Sequence, residues 1–115
     1  MKLLIAGSRS IREWDISNYV PPETDLVISG GAKGVDALAE GYADEHGIAK
    51  RIIRPRYDLY GKAAPLKRNE EMVELADHVL ILWDGQSRGT QYTMEYAVKT
   101  GKSVTMVLCG KNDFI

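Results

Sequence analysis

Residues 26–47 read LVISGGAKGVDALAEGYADEHG, and this stretch decides the fold. Leu26–Ser29 is a short apolar run typical of a buried strand, and Gly30-Gly31 end it. From Val35 onward, apolar and small side chains recur at helical spacing, and Gly47 stands where a helix C-cap belongs. The stretch therefore predicts a strand, a glycine-rich turn and a helix, which is the unit of parallel α/β sheets.

The same alternation continues on both sides of this stretch. Four further apolar runs predict strands at Lys2–Ala6, Lys50–Ile53, His78–Trp83 and Ser103–Leu108. Further helices are predicted at Asp15–Val20, from Pro65 to about Ala76, and from about Gly89 to Thr100, with a loop over residues 54–64. Strands that alternate with helices pair in parallel, and continuous apolar runs are typical of strands covered on both faces. We therefore predict an α/β fold, a Rossmann-like three-layer sandwich with a five-stranded parallel sheet of order 3-2-1-4-5.

Length and composition restrict the class of protein. The 115 residues suffice for a single domain over residues 1–115, and 44% hydrophobic with 27% charged residues is a globular balance. The longest uncharged apolar run, Val79–Trp83, is too short to span a bilayer, and no signal peptide is evident, so we expect a cytoplasmic protein. Cys109 is the single cysteine, and His46 and His78 lack ligand companions, so we expect neither a metal nor a cofactor.

Charge is unevenly distributed along the chain. The net charge is −1, yet residues 50–68 hold seven basic residues and one acid. Such a segment indicates a localised anionic ligand, and the alternative interpretation is a solvated loop that tolerates charge.

Three glycine-containing turns follow predicted strands and are expected at one edge of the sheet. They read GSRS at 7–10, SGGAKGVD at 29–36 and WDGQSRGT at 83–90. In open α/β sheets, ligands bind beyond the carboxyl ends of the strands, where the strand order switches. Glycine lets backbone approach a phosphate, and the N–H groups at a helix start face an anion. The second turn lacks the G-K-[ST] ending of a P-loop, so nucleoside triphosphate hydrolysis is not indicated.

These turns supply the candidate ligand residues. The small residues expected to form a phosphate cradle are Gly7, Gly30, Gly31, Ala32, Gly34 and Gly89. The polar side chains expected to bind the phosphate or a sugar are Ser8, Arg9, Asp36, Asp84, Ser87, Arg88 and Thr90. The alternative for each turn is an ordinary strand-to-helix connection.

The three motifs in this order resemble the SLOG superfamily, and most of all its small, single-domain, cpYpsA-related branch, over Leu4 to about Val107. Residues 29–40 are also similar to the glycine-rich motif of the DNA-processing protein A family. The resemblance implies binding of a nucleotide or nucleotide sugar, such as a nucleoside monophosphate or an ADP-ribose-like derivative of NAD. It also implies a homodimer or higher homo-oligomer, in which Tyr92 and Tyr96 either contribute to the interface or pack under local loops.

Residues 68–77 resemble a helix of the LOG phosphoribohydrolases, which release the base from nucleoside monophosphates. This similarity places Arg68 on that family's catalytic arginine and adds Asn69 to the ligand-binding candidates. When Gly89-Thr90 is aligned with the Gly-Thr pair of the LOG motif, Thr93 takes the position of the catalytic glutamate of that family. Glu95 lies two residues further on, about 200° around the helix, and would point away from the site. If the chain is an enzyme, it is expected to hydrolyse an N-glycosidic bond with Arg68 and Asp84 as catalytic residues.

Sequence alone leaves four functions open. The leading one is nucleotide binding for sensing, sequestration or processing, and the second is the hydrolase. The third is single-stranded DNA binding, with the basic segment along the phosphates and Tyr57 and Tyr60 stacking on bases. The fourth is action through a protein partner alone.

Overall fold

The computed structural model describes residues 1–110, which form one parallel sheet with helices on both faces. The strands are β1 (Lys2–Gly7), β2 (Leu26–Ser29), β3 (Ala49–Ile52), β4 (His78–Trp83) and β5 (Ser103–Leu108). They lie in the order β3-β2-β1-β4-β5, and all neighbours are parallel. The predicted fold class and strand order are confirmed. The predicted domain extends to residue 115, and residues 111–115 lie outside the described part.

Four α-helices connect the strands. They are α1 (Val35–Glu45), α2 (Tyr57–Tyr60), α3 (Ala64–Leu75) and α4 (Arg88–Lys99), and single 3₁₀ turns lie at Ser17–Tyr19 and Gly61–Ala63. Among the described residues, no helix combines the length and the apolar character needed to cross a membrane.

The core consists of two layers, one on each face of the sheet. On one face, α1 and the segment 11–20 cover alternate residues of β1 and β4, among them Leu3 and Leu80. On the other face, α3 and α4 cover the intervening residues, among them Leu4 and Val79. These strand residues are fully buried, so the centre of the sheet is rigidly held and fixes the positions of the turns at its carboxyl edge.

Two sequence predictions of local structure are wrong. The helix expected at Asp15–Val20 is reduced to the 3₁₀ turn, because the Asp15 carboxylate accepts hydrogen bonds from the N–H and the hydroxyl of Ser17. The loop expected over residues 54–64 contains α2 and a 3₁₀ turn. Helix α2 buries none of its residues, so it carries no apolar periodicity by which a sequence pattern reveals a helix.

The expectation that all strands are covered on both faces is wrong for the edge strands. Lys50 and Arg51 of β3 and Met106 and Leu108 of β5 are exposed. The reason is geometric, since α1 on one face and α3 with α4 on the other lie over the central strands.

Candidate functional site

A cavity of about 390 Å³ opens at the carboxyl edge of the sheet, beside the ends of β1 and β4. This is the position where the strand order switches, and ligands of open α/β sheets bind there. Its walls come from the end of β1, the start of α1, one face of α3 and the start of α4. The lining residues are Ala6, Gly7, Arg9, Ser10, Ala32, Asp36, Pro65, Leu66, Arg68, Asn69, Met72, Asp84, Ser87, Gly89, Thr90 and Thr93.

The first two glycine turns are packed directly against each other. A Cβ atom on Gly7 would lie 2.7 Å from Cγ2 of Val35, and one on Gly34 would lie 2.5 Å from the Cα atom of Arg9. Gly34 also has φ +76°, which side chains rarely allow, and the N–H of Val35 donates to the Ser8 carbonyl at 3.3 Å. These glycines therefore bring the end of β1 and the start of α1 together, and so position the cavity floor.

Asp84 shapes the third turn. Its Oδ1 accepts the N–H groups of Gln86 and Ser87 at 2.9 and 2.8 Å, and its Oδ2 accepts the hydroxyl of Ser10 at 2.8 Å. The Asp84 N–H donates to the Ser8 hydroxyl oxygen at 3.1 Å. The hydrogen bonds from the backbone of Gln86 and Ser87 lower the pKa of Asp84 to about 2. This carboxylate is therefore ionised at neutral pH, and it is unsuited to donate a proton there.

The Asp84→Asn variant is expected to be less stable than the wild type by about 1 kcal/mol at pH 7, because an amide cannot reproduce both acceptor sites. The folded-state pKa lies below the unfolded value of 3.8, so this stabilisation is present above pH 3.8 and is lost as the pH falls through about 2. Urea unfolding at pH 7, 4 and 2 measures it. The difference between the two proteins should shrink towards zero at pH 2, and a constant difference would contradict the assignment. Asp58→Asn, an exposed carboxylate on α2, is the control and should change stability little.

The start of α4 offers free backbone donors to the cavity. Ser87 is the N-cap, and its side-chain oxygen accepts the N–H of Thr90 at 3.3 Å. The N–H groups of Arg88 and Gly89 donate to no atom of residues 1–110. A Cβ on Gly89 would meet nothing within 4 Å, so packing does not require glycine at this position. Free N–H groups at the positive end of a helix dipole, beside a cavity that Gly89 lines, suit an anion.

Arg68 is a buried cation on the cavity wall, with only 8% of its surface exposed. Its Nη1 donates to the carbonyl oxygens of Gly30 at 2.7 Å and Ile53 at 3.2 Å, and its Nε donates to Asn69 Oδ1 at 2.8 Å. Within the described part of the chain, no carboxylate forms an ion pair with it, and Nη2 has no hydrogen-bond acceptor. Burial lowers the pKa of Arg68, and the nearby Asp36 charge opposes that lowering; a bound anion would stabilise the buried guanidinium further.

Asp36 is the second buried charged residue that lines the cavity. Its Oδ2 accepts the N–H of Ala32 at 3.0 Å, and 8% of its surface is exposed. Burial raises the pKa of Asp36, and the Ala32 hydrogen bond and the Arg68 charge oppose that rise. Its side chain can accept hydrogen bonds from sugar hydroxyls in the cavity.

The structure brings together most of the site residues expected from sequence. Those that line the cavity are Gly7, Arg9, Ala32, Asp36, Arg68, Asn69, Asp84, Ser87, Gly89 and Thr90. Those that lie outside its lining are Ser8, Gly30, Gly31, Gly34 and Arg88. Gly30 and Gly31 instead lie against the guanidinium groups of Arg68 and Arg54, and Ser8 is buried in the first turn.

Sequence reasoning missed the lining residues Ala6, Ser10, Pro65, Leu66, Met72 and Thr93. Several of them lie on helices rather than in the glycine turns. The spacing i, i+3, i+4, i+7 of one helix face relates Pro65, Arg68, Asn69 and Met72. This spacing is the sequence signal from which the α3 wall of the cavity could have been predicted.

Helix α4 carries no carboxylate at the position of the LOG glutamate. Thr93 is buried there, and its hydroxyl donates to the Gly89 carbonyl at 2.9 Å. Glu95 is exposed, accepts a hydrogen bond from Gln91 and does not line the cavity.

The two tyrosines of α4 lie against α3 rather than under loops. Tyr92 donates its hydroxyl to Glu70, and Tyr96 donates its hydroxyl to Glu74. These bonds raise the pKa of both phenols, to about 12 for Tyr96. Both side chains therefore contribute to packing within the chain, and the expected homo-oligomer stays a prediction.

The order of the strands, the turns at the carboxyl edge and the cavity between them allow comparison with known proteins. The chain shares its fold with part of a solved protein. It is similar to the X-ray structure of DNA processing protein A from Streptococcus pneumoniae, with a TM-score of 0.72 and 19% sequence identity. The match covers 97% of this chain and 52% of that protein, so the chain spans about half of the length of its structural relative.

The comparison shows a shared fold, and the assignments to the SLOG superfamily and to its small cpYpsA-related branch stay predictions. No family model matches the sequence, and no curated protein matches it.

Proposed function

We propose that the chain binds the phosphate of a nucleotide or nucleotide sugar in the cavity between β1, α3 and α4. The observation that carries this proposal is buried Arg68, which lines the cavity without an ion-pair partner among residues 1–110. Gly89, at the start of α4, lines the same cavity, and its free N–H adds a second anion donor. Asp36 lines the cavity, and its carboxylate would accept hydrogen bonds from hydroxyl groups of the attached sugar.

Binding is favoured over hydrolysis because the cavity is poor in catalytic carboxylates. The LOG glutamate is replaced by Thr93, and both oxygens of Asp84 accept hydrogen bonds from the chain itself. Asp36 remains as a carboxyl group of raised pKa, but it also accepts the Ala32 N–H. Chromatography of the ligand after incubation tests for turnover, and we expect the nucleotide to be recovered intact.

Gly89→Ala is expected to weaken binding of AMP or ADP-ribose about tenfold, because Gly89 lines the cavity and the added methyl group meets no protein atom within 4 Å, so it would take up space that the ligand uses. Stability should be unchanged or rise by up to about 1 kcal/mol, since alanine is the better helix former. Isothermal titration calorimetry and thermal unfolding measure the two effects. Binding lost without loss of stability identifies the α4 start as part of the site.

Gly41→Ala is the matched control for this substitution. Gly41 lies inside α1, is exposed, and a Cβ there also meets nothing within 4 Å. The variant should gain similar stability and keep wild-type affinity. Equal affinity of the wild type and Gly89→Ala would contradict the proposed site.

Single-stranded DNA binding is the second candidate, and a specific surface favours it. Tyr57 and Tyr60 on α2 are 60% and 48% exposed, and both lie within the basic segment 50–68. The same segment also contains Leu66, which lines the first cavity, so this surface leads to that cavity along the chain. Exposed aromatic rings between basic side chains are typical of surfaces that stack bases and follow phosphates. The structural relative is named as a DNA processing protein, which agrees with this candidate. Oligo-dT binding that weakens steeply with salt would support it, and absence of binding at low salt would remove it.

A further inference from the structure

A second and larger cavity adjoins the first on the outer side of Asp84. Its volume is about 690 Å³, and it lies between the segment 10–14, the third turn and the end of β5. Ser10 and Asp84 line both cavities, and the hydrogen bond between them forms the shared wall. A ligand held by its phosphate in the first cavity can therefore extend over this wall into the second.

Trp14 provides an aromatic face in the second cavity. Its side chain is 37% exposed, although Ile11 and Ile16 on either side of it in the chain are buried in the core. These two anchors hold the segment in place, so the indole lies on a fixed support. The indole N–H donates to no atom of the described residues, so packing alone does not account for this large exposed ring.

The polar groups around Trp14 match the hydrogen-bonding edge of a nucleobase. Arg12, Glu13 and Gln86 line the same cavity, and their side chains make no hydrogen bond or ion pair within residues 1–110. Together they offer a guanidinium, a carboxylate and an amide, which supply both donors and acceptors. An aromatic face bordered by unengaged donors and acceptors suits a planar heterocycle better than an aliphatic or a purely anionic ligand.

We propose that this second cavity is a nucleobase subsite, in which the base of the ligand stacks on Trp14 while its phosphate is held by Arg68 and the start of α4. This inference rests on the proposed phosphate site and deepens it, because it assigns a separate binding place to the base of the nucleotide. The base lies on the side of Ser10 and Asp84 away from α3.

Calorimetric titration of the full chain with AMP and with ribose 5-phosphate tests the subsite. The wild type should bind AMP about tenfold more tightly than ribose 5-phosphate, because stacking on an aromatic ring adds affinity of that order. Trp14→Leu should weaken AMP binding about tenfold and leave ribose 5-phosphate binding unchanged. Trp14→Phe keeps an aromatic face and should retain most of the AMP affinity.

Tyr19→Leu is the matched control, since Tyr19 is equally exposed at 38% and lines neither cavity. It should bind both ligands as the wild type does, and thermal unfolding should show that all variants fold. Equal AMP affinity in the wild type and Trp14→Leu, with ribose 5-phosphate still bound, overturns the base subsite and leaves the phosphate site standing. Failure of the wild type to bind either ligand at millimolar concentration overturns both.

Discussion

Replacement of Gly34 by alanine is expected to lower the free energy of unfolding by about 3 kcal/mol or more, enough to lower the unfolding midpoint by about 10 °C. Two costs add at this position. The backbone has φ +76° and ψ −129°, a combination outside the left-handed helical region that strains an L-residue by about 1–3 kcal/mol. The new Cβ would also lie 2.5–2.6 Å from backbone atoms of Ser8 and Arg9, which cannot move away as a flexible side chain can.

Gly47→Ala is the control for a positive φ without a close contact. Gly47 also has a positive φ, of +65°, but a Cβ there meets nothing within 4 Å. The free energy of unfolding of this variant should therefore fall by only about 1 kcal/mol, because only the backbone conformation is strained. Urea unfolding of both variants measures the difference. If both variants lost the same free energy of unfolding, the first two turns would not be in close contact, and they would not form the floor of the cavity.

Arg68→Met is expected to lower the affinity for a phosphate-bearing ligand about a hundredfold, since charge-assisted hydrogen bonds contribute about 1.5–3 kcal/mol each. It should also lower stability by about 2 kcal/mol, because the carbonyl groups of Gly30 and Ile53 lose their donor. Calorimetry with AMP, at a temperature well below the unfolding midpoint of the variant, measures the first effect. Arg68→Lys keeps the charge without the planar fork and should give an intermediate affinity.

Arg54→Met removes a neighbouring arginine that is exposed and donates only a long hydrogen bond, 3.4 Å, to the Gly31 carbonyl. We expect this control to change stability by less than about 0.5 kcal/mol and to leave AMP affinity within a factor of two or so of the wild type. If Arg54→Met and Arg68→Met weaken binding equally, long-range charge explains the affinity and the buried guanidinium has no special role.

The central elements of the fold can be predicted from the sequence because their buried residues give a clear hydrophobic pattern. Helix α1 repeats apolar residues at helical spacing, and β4 is a continuous apolar run, so both follow from periodicity. Helix α2 and the turn at Ser17–Tyr19 bury no residues, and their conformation depends on local hydrogen bonds that hydropathy does not record.

The candidate site is predictable to the extent that it consists of turns that follow strands. Gly7, Asp84 and Gly89 lie in such turns, and the switch in strand order brings them to one edge. Leu66 and Thr93 come from helix faces that tertiary packing turns towards the cavity. The second cavity depends on where Trp14 lies relative to the end of β5, and no local pattern specifies that distance.

A nitrogen-15 NMR titration of the full chain with AMP reports directly on whether an anion binds at the start of α4 beside Arg68. We expect the largest amide shifts at Gly89 and its neighbour Arg88, with a shift of the Arg68 side-chain resonances, while amides at the opposite edge of the sheet, such as that of Lys2, stay in place. Saturable shifts confined to other residues, or no shifts at millimolar AMP, would contradict binding at this site.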